Sequence, residues 1–261
     1  MAVNRIKVFG ERNTGTNFVE DLLKRNLDCA IVSGNLSRRY AWWFPIAYRV
    51  LPESKAFAIV EGARDRIFER RFAKDGGWKH ARVPNFPSGI TAYPNGMGMI
   101  ALTKNPYAWL LSLHKRPYQG QEHSRFGRLG LSEFLRRPWQ TVGREFGPVR
   151  YETPIEMWND KVESYFALGQ YAPTIIRQYE HVIADIPNFF NDLSDSFSLT
   201  APKSFTIPTG STKKDGRTTE QIIAYYQTKQ WRSSFSDEDM AFINARLDQR
   251  LMQKIAYEIL D

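Results

Sequence analysis

The chain has one cysteine, Cys29, so no intrachain disulfide can staple it. That residue lies in an apolar stretch, Cys29-Ala30-Ile31-Val32, and reads as a small core side chain. Nothing therefore demands an oxidising compartment. Long hydrophobic runs are missing as well. The longest candidate, residues 41–48, is broken by Pro45 and falls far short of the ~18 residues of a membrane span. The opening Met1-Ala2-Val3-Asn4-Arg5 runs straight into a predicted strand, leaving no room for a signal peptide. There are few histidines. His80, His114, His123 and His181 are scattered, without metal-ligand spacing or a partner cysteine, so no metal is expected. Repeats and low-complexity tracts are also absent. Together these absences predict a soluble, cytoplasmic protein that does not use a membrane.

Positive charge and aromatic residues are plentiful by comparison. The net charge of +8 favours an anionic partner, with nucleotides, acidic or sulfated sugars, nucleic acid and membrane surfaces all compatible. The chain is 42% hydrophobic and 14% aromatic, which provides for a sizeable core and argues against disorder. At 261 residues, we read positions 1–261 as a single domain.

The pattern along the chain predicts an α/β fold, three-layered α/β/α around a mainly parallel sheet. A buried strand (Ile6, Val8) leads through Gly10-Glu11-Arg12-Asn13-Thr14-Gly15-Thr16-Asn17 into a helix carrying Phe18, Leu22 and Leu23. A short strand is expected at 30–33. Residues 61–77 read as loops and short helices. The near-continuous apolar run Met99-Ile100-Ala101-Leu102-Thr103 suits a strand buried on both faces, and Pro106 suits the start of the next helix. Residues 119–150, polar and rich in Gly and Arg, are expected to cover a site rather than build the sheet. A helix over 157–168, a strand over 174–179 and a loop over 202–216 follow. Met240, Ile243, Leu247, Leu251 and Ile255 form a core stripe on one last helix.

The strand–loop–helix at residues 5–26 has the layout of a phosphate-cradling P-loop. Backbone N–H groups at a helix N-terminus bind anions, and Gly10 and Gly15 permit the tight turn. Thr14, Thr16 and Asn17 add polar side chains, Arg12 a fixed charge. A nucleoside triphosphatase would place lysine and then serine or threonine after the second glycine. Here those places hold Thr16 and Asn17. A second anion grip is expected at the end of the central strand, where Lys104-Asn105-Pro106 is followed by Ser112 inside the next helix.

These two segments, in this order, resemble the family of sulfotransferases that use 3′-phosphoadenosine 5′-phosphosulfate (PAPS). In that family a Lys-Ser-Gly-Thr-Thr-type loop holds the 5′-phosphosulfate. A later Arg-Asn-Pro with a serine eight residues after the arginine holds the 3′-phosphate. Lys104, Asn105, Pro106 and Ser112 match the second pattern, with lysine for arginine. Arg177-Gln178-Tyr179-Glu180 is similar to the family's Arg-Tyr-Glu-Asp strand with one residue inserted, and Trp231 to its C-terminal tryptophan.

The resemblance implies PAPS as sulfuryl donor, no metal, and a hydroxyl-bearing acceptor, with carbohydrates among the candidates. It implies donor binding by Arg12, Asn13, Thr14, Gly15, Thr16, Asn17, Lys104 and Ser112. His80, within Trp78-Lys79-His80, matches the general base in type and distance, and histidine suits that task near neutral pH. The family's loop lysine falls on Asn13, so either Arg12 or Lys79 is left to stabilise the leaving group. Its Arg-Lys-Gly group falls near Ala224 and Tyr225, leaving Lys213, Lys214 and Arg217 as substitutes. Tyr40, Trp42, Trp43, Phe44 and the arginine-rich residues 116–128 are candidate acceptor walls. Two other readings stay open: a P-loop small-molecule kinase, and a non-catalytic basic protein that binds nucleotides or polyanions. No nucleic-acid motif appears, and the aromatics are not interleaved with a basic stripe.

Overall fold

The computed structural model describes residues 3–34, 44–84, 93–117, 129–209 and 216–260. In chain order the elements are β1 (Arg5–Phe9), α1 (Thr16–Asn26), β2 (Ala30–Val32), α2 (Phe44–Val50), α3 (Glu53–Phe72), β3 (Met97–Thr103) and α4 (Pro106–Lys115). Then come α5 (Leu131–Leu135), β4 (Trp139–Gln140), β5 (Arg150–Tyr151), α6 (Pro154–Ser164), β6 (Thr174–Gln178), α7 (Tyr179–Ala184) and α8 (Ile186–Phe197). The chain closes with α9 (Thr219–Gln227), α10 (Asp237–Asn244) and α11 (Gln249–Lys254).

The main sheet has the order β2-β1-β3-β6, and every pairing in it is parallel. Alternation along the strands divides the core in two. Ile6, Val8, Ile100, Leu102 and Ile175 pack on one face with Phe18, Val19, Leu22 and Leu23 of α1 and the aromatics of α8. Phe9, Met97, Met99 and Ala101 face the other way, onto α4, α6, α10 and α11. This is the expected three-layer α/β/α arrangement, and β3, buried at every position, is its centre. The chain passes from β1 outward to β2, then crosses back to β3 on the other side of β1. In open parallel sheets that reversal leaves a crevice beyond the carboxyl ends of the two strands, where ligands bind.

Three elements differ from the sequence reading. Residues 61–77 begin within α3, a 20-residue helix, followed by a short 3-10 turn at Ala73–Asp75. The helix lacks a regular apolar stripe, so periodicity could not reveal it, although Glu, Arg and Ala are good helix formers. The C-terminal stripe spans two helices, with Met240 and Ile243 on α10, Leu251 on α11, Leu247 in the connection between them and Ile255 at the end of α11. Asp248 caps the second by accepting from the Leu251 N–H (3.0 Å), while all five stripe residues remain buried. The helix over 157–168 begins earlier, at Pro154, with Thr153 as its cap, and tightens to 3-10 geometry after Ser164. Residues 129–151 contribute the small antiparallel pair β4–β5, separate from the main sheet.

One core residue is out of keeping with its surroundings. Lys7 of β1 is fully buried, its Nζ has no hydrogen-bond partner among the described residues, and it lies 5.2 Å from the Phe72 ring centroid. Burial lowers its pKa from 10.5 to about 7. The unfolded chain therefore holds that proton well above the pH at which the folded chain releases it. Stability should rise with pH between about 7 and 10.5, and the full cost of the buried charge applies below 7. Lys7→Met is expected to stabilise the fold by about 1–4 kcal/mol near neutral pH and to flatten this dependence. Urea midpoints at neutral and alkaline pH measure both effects; a destabilised variant would show that the charge has a compensating partner.

Candidate functional site

Because β1 and β3 are neighbours, with Phe9 opposite Ala101, the loop after β1 and the tip of β3 open at the same edge of the sheet. Gly10 leaves β1 in close quarters, since a Cβ there would meet Thr14 Oγ1 at 2.7 Å and the Leu102 carbonyl at 3.0 Å. The Thr14 hydroxyl donates to the Glu11 carbonyl (2.5 Å), closing the loop on itself. Gly15 is the N-cap of α1, left-handed at φ 88°, and no side chain caps the helix in its place. Side chains rarely adopt that conformation, and a Cβ would also overlap the Tyr179 ring.

Lys104 follows the last residue of β3. Asn105 caps α4, its side chain accepting from the N–H groups of Tyr107 and Ala108, and Pro106 supplies the first helical turn. This cap sets the phase of α4, which places Ser112 beside Lys104. Lys104 Nζ donates to Ser112 Oγ (2.8 Å) and to the Asn13 carbonyl (3.3 Å). The cation is thus held between the two loops. Glu180, just beyond β6, accepts from the Asn105 N–H (2.9 Å) and from the Tyr257 hydroxyl (2.9 Å), tying the tips of β3 and β6 together.

A cleft of about 310 Å³ opens here, lined by Asn13, Gly15, Lys104, Ser112 and Arg217 among others. Among the described residues its lining carries four cations, Lys104, Lys115, Arg116 and Arg217, and no carboxylate. Phe18, Tyr179, Tyr225 and Tyr226 supply aromatic walls. Lys104 lies 5.2 Å from the Tyr226 ring centroid and Arg217 lies 5.3 Å from that of Tyr225. Concentrated positive potential beside flat apolar faces is what a multiply phosphorylated nucleotide requires. Lys115 was not singled out from sequence, and Arg116, expected at the start of an acceptor wall, lines this cleft instead. They lie three and four residues beyond Ser112, the spacing that continues one helix face.

The other sequence candidates fall outside that lining. Thr14 is buried within the loop, Thr16 is buried at the start of α1, and Asn17 is exposed on α1. Lys79 is fully buried and donates to Asn17 Oδ1 (2.6 Å) and Glu20 (2.9 Å). Burial lowers its pKa, with Glu20 opposing the shift. Its ammonium is committed beneath α1 rather than brought to the cleft. The Arg12 guanidinium bonds Glu145 (3.1 Å) and lies 4.5 Å from the Trp78 ring centroid. His80 packs edge-on to Trp78, and its Nδ1 is 2.6 Å from the Gly10 carbonyl. A carbonyl only accepts, so Nδ1 carries the proton and Nε2 keeps its lone pair. Burial, then the charges of Lys79 and Arg12, hold the imidazole pKa well below 6.5, so the ring is neutral at physiological pH. Lys213, Lys214, Tyr40, Trp42, Trp43 and the side chain of Phe44 lie outside the described residues, as do residues 118–128. Trp231 is core, stacked on Tyr107 at 5.6 Å.

No family model matches the chain. No curated protein matches it by sequence. Solved structures similar to it include retinol dehydratase in a complex with retinol and PAP, at 11% identity and TM-score 0.47, covering 99% of this chain and 84% of the other. Another is a sulfotransferase domain from the curacin biosynthetic pathway, at 11% identity and TM-score 0.46, covering 100% and 99%. No described helix is long and apolar enough to cross a membrane. Among the described residues no group of three His, Cys, Asp or Glu is arranged to hold a metal ion.

Proposed function

We propose that the protein is a PAPS-dependent sulfotransferase acting on a hydroxyl acceptor, with a carbohydrate as the first class to test. The observation that carries this reading is the Lys104–Ser112 pair, joined at 2.8 Å and opening onto the same cleft as the Gly15 turn. One anion grip lies at the tip of each of two adjacent strands, as a nucleotide phosphorylated at both ends of its ribose needs. The described residues fit that group: four cations without a carboxylate among them, and a glycine where any Cβ would intrude.

In this reading Lys104 and Ser112 hold the 3′-phosphate, with Arg217 and, from outside the described residues, Lys213 and Lys214. The N–H groups of Asn13 and of Gly15 to Asn17 hold the 5′ end, while the Thr14 N–H and hydroxyl both donate to the Glu11 carbonyl and close the loop around it. When bound, PAPS supplies an activated sulfuryl group. His80 Nε2 accepts the proton of the attacking hydroxyl, with the tautomer set by the Gly10 carbonyl. Arg12, with the guanidinium partly exposed, is better placed than the buried Lys79 to stabilise leaving-group charge.

The test is differential stabilisation. 3′-Phosphoadenosine 5′-phosphate should raise the thermal midpoint, and ADP much less. An equal response to ATP with magnesium would favour the kinase, and a response confined to oligonucleotides the polyanion binder. Lys104→Ala removes a charge-assisted contact and should weaken the bisphosphate by roughly 1.5–3 kcal/mol. Isothermal titration measures this, and an unchanged Kd would contradict the assignment.

A further inference from the structure

Outside the cleft, the same loop rests on a buried ion network. Lys161 of α6 is fully buried, yet its ammonium meets three acceptors on three separate segments. It pairs with Glu11 in the loop after β1, with Glu145 before β5 (2.6 Å), and with the backbone carbonyl of His80 (3.2 Å). An ammonium has three protons, so this set uses all of them. The two carboxylates in turn hold Arg12. Glu11 accepts from the Arg12 N–H (2.6 Å), and Glu145 accepts from its guanidinium (3.1 Å). Gly10 completes the circuit: its N–H donates to the Lys79 carbonyl (3.0 Å), and its carbonyl receives the His80 ring proton.

We propose that Lys161 is a positioning residue, which fixes Arg12 and the His80 backbone in register with the loop. The Gly10 carbonyl and the Trp78 ring orient the His80 imidazole; Lys161 sets where that ring is anchored. Two cations, Lys161 and Arg12, balance two carboxylates, Glu11 and Glu145, so the group can be buried without a net charge. Burial alone would lower the Lys161 pKa, but Glu11 and Glu145 outweigh it and hold the ammonium charged. A simple structural ion pair would not need one cation shared among the loop, the histidine segment and the turn that grips Arg12. The role in turnover rests on the sulfotransferase reading; the role in anchoring His80 does not.

Lys161→Met leaves two buried carboxylates and can fail to fold, so the deciding variant is the charge-balanced double, Glu11→Gln with Lys161→Met. The full-length double variant is expected to fold and still gain thermal stability from 3′-phosphoadenosine 5′-phosphate. A displacement of ~1 Å at a reacting group costs about 10²-fold, and a fall of that size is expected in kcat with the donor KM little changed. Independently of activity, the side-chain ¹⁵N spectrum of His80 should show the Nδ1–H tautomer in the wild type. In the double variant it should show a mixture of tautomers. A His80 spectrum and kcat matching wild type in the folded variant would overturn the proposal. So would a loss confined to bisphosphate binding, which would make Lys161 part of the donor-site scaffold. If wild type ignored the bisphosphate, the sulfotransferase reading would fail, and the imidazole spectrum would still decide the role of Lys161.

Discussion

Replacing His80 by alanine is expected to lower turnover about 10²–10⁴-fold while leaving bisphosphate affinity near that of wild type. The separation follows from geometry. His80 is bonded to Gly10, at the start of the loop, and is not among the residues that line the cleft. Removing its ring deletes a proton acceptor without touching Lys104, Ser112 or Arg217. The pH–rate profile gives a second reading. Burial and neighbouring cations hold the His80 pKa well below 6.5, so the neutral, proton-accepting form persists through mildly acidic pH. The acidic limb of kcat/KM should therefore lie below the usual histidine value in wild type and vanish in His80→Ala. The same group contributes to acid sensitivity of the fold. Its neutral buried form is disfavoured once the unfolded chain can protonate, so stability is lost as pH falls through about 6.5 and below. Single-turnover measurements with donor and a competent acceptor decide the point, and near-normal turnover would remove His80 from the mechanism.

What the sequence revealed of this site was the part encoded locally. The P-loop layout is a matter of glycine spacing between a strand and a helix, and Gly10 and Gly15 occupy the positions that demand glycine. Lys104, Asn105, Pro106 and Ser112 form a cap and one helix face, so their relative placement follows from helical geometry alone. The sheet centre was legible because β3 is a continuous apolar run, the mark of a strand covered on both faces. Long-range partners were not. That Lys79 turns under α1 to Glu20 depends on a packing arrangement across 59 residues, and no local pattern signals it. The ion network around Lys161 joins positions 11, 80, 145 and 161, each an ordinary residue in its own segment. Helix α3 was missed for the opposite reason. Its Glu, Arg and Ala residues favour helix, but Gly62 interrupts them and the regular stripe by which a helix facing a core is recognised is lacking.

Gly15→Ala should have the largest effect on the loop itself, and two separable costs contribute to it. The first is conformational. At φ 88° an alanine is forced into the left-handed region, at roughly 1–2 kcal/mol. The second is steric. The new methyl would overlap the Tyr179 ring, which is packed edge-on against Phe18 at 6.1 Å and Tyr226 at 5.7 Å. Overpacking of this kind adds about 1–3 kcal/mol. The sum predicts a loss of roughly 2–5 kcal/mol, with bisphosphate binding abolished because Gly15 itself lines the cleft. A double-mutant cycle with Tyr179→Ala separates the parts. Removing the ring relieves the clash, so Gly15→Ala should cost less in that background, with a coupling of about 0.5–3 kcal/mol. The conformational cost should remain, and with it the weakened binding, because a strained turn no longer aims its N–H groups at the anion. Additive costs in the cycle would mean that Tyr179 does not press on the loop as the structure places it. Undiminished bisphosphate affinity in Gly15→Ala would mean that the anion is gripped elsewhere than at the start of α1.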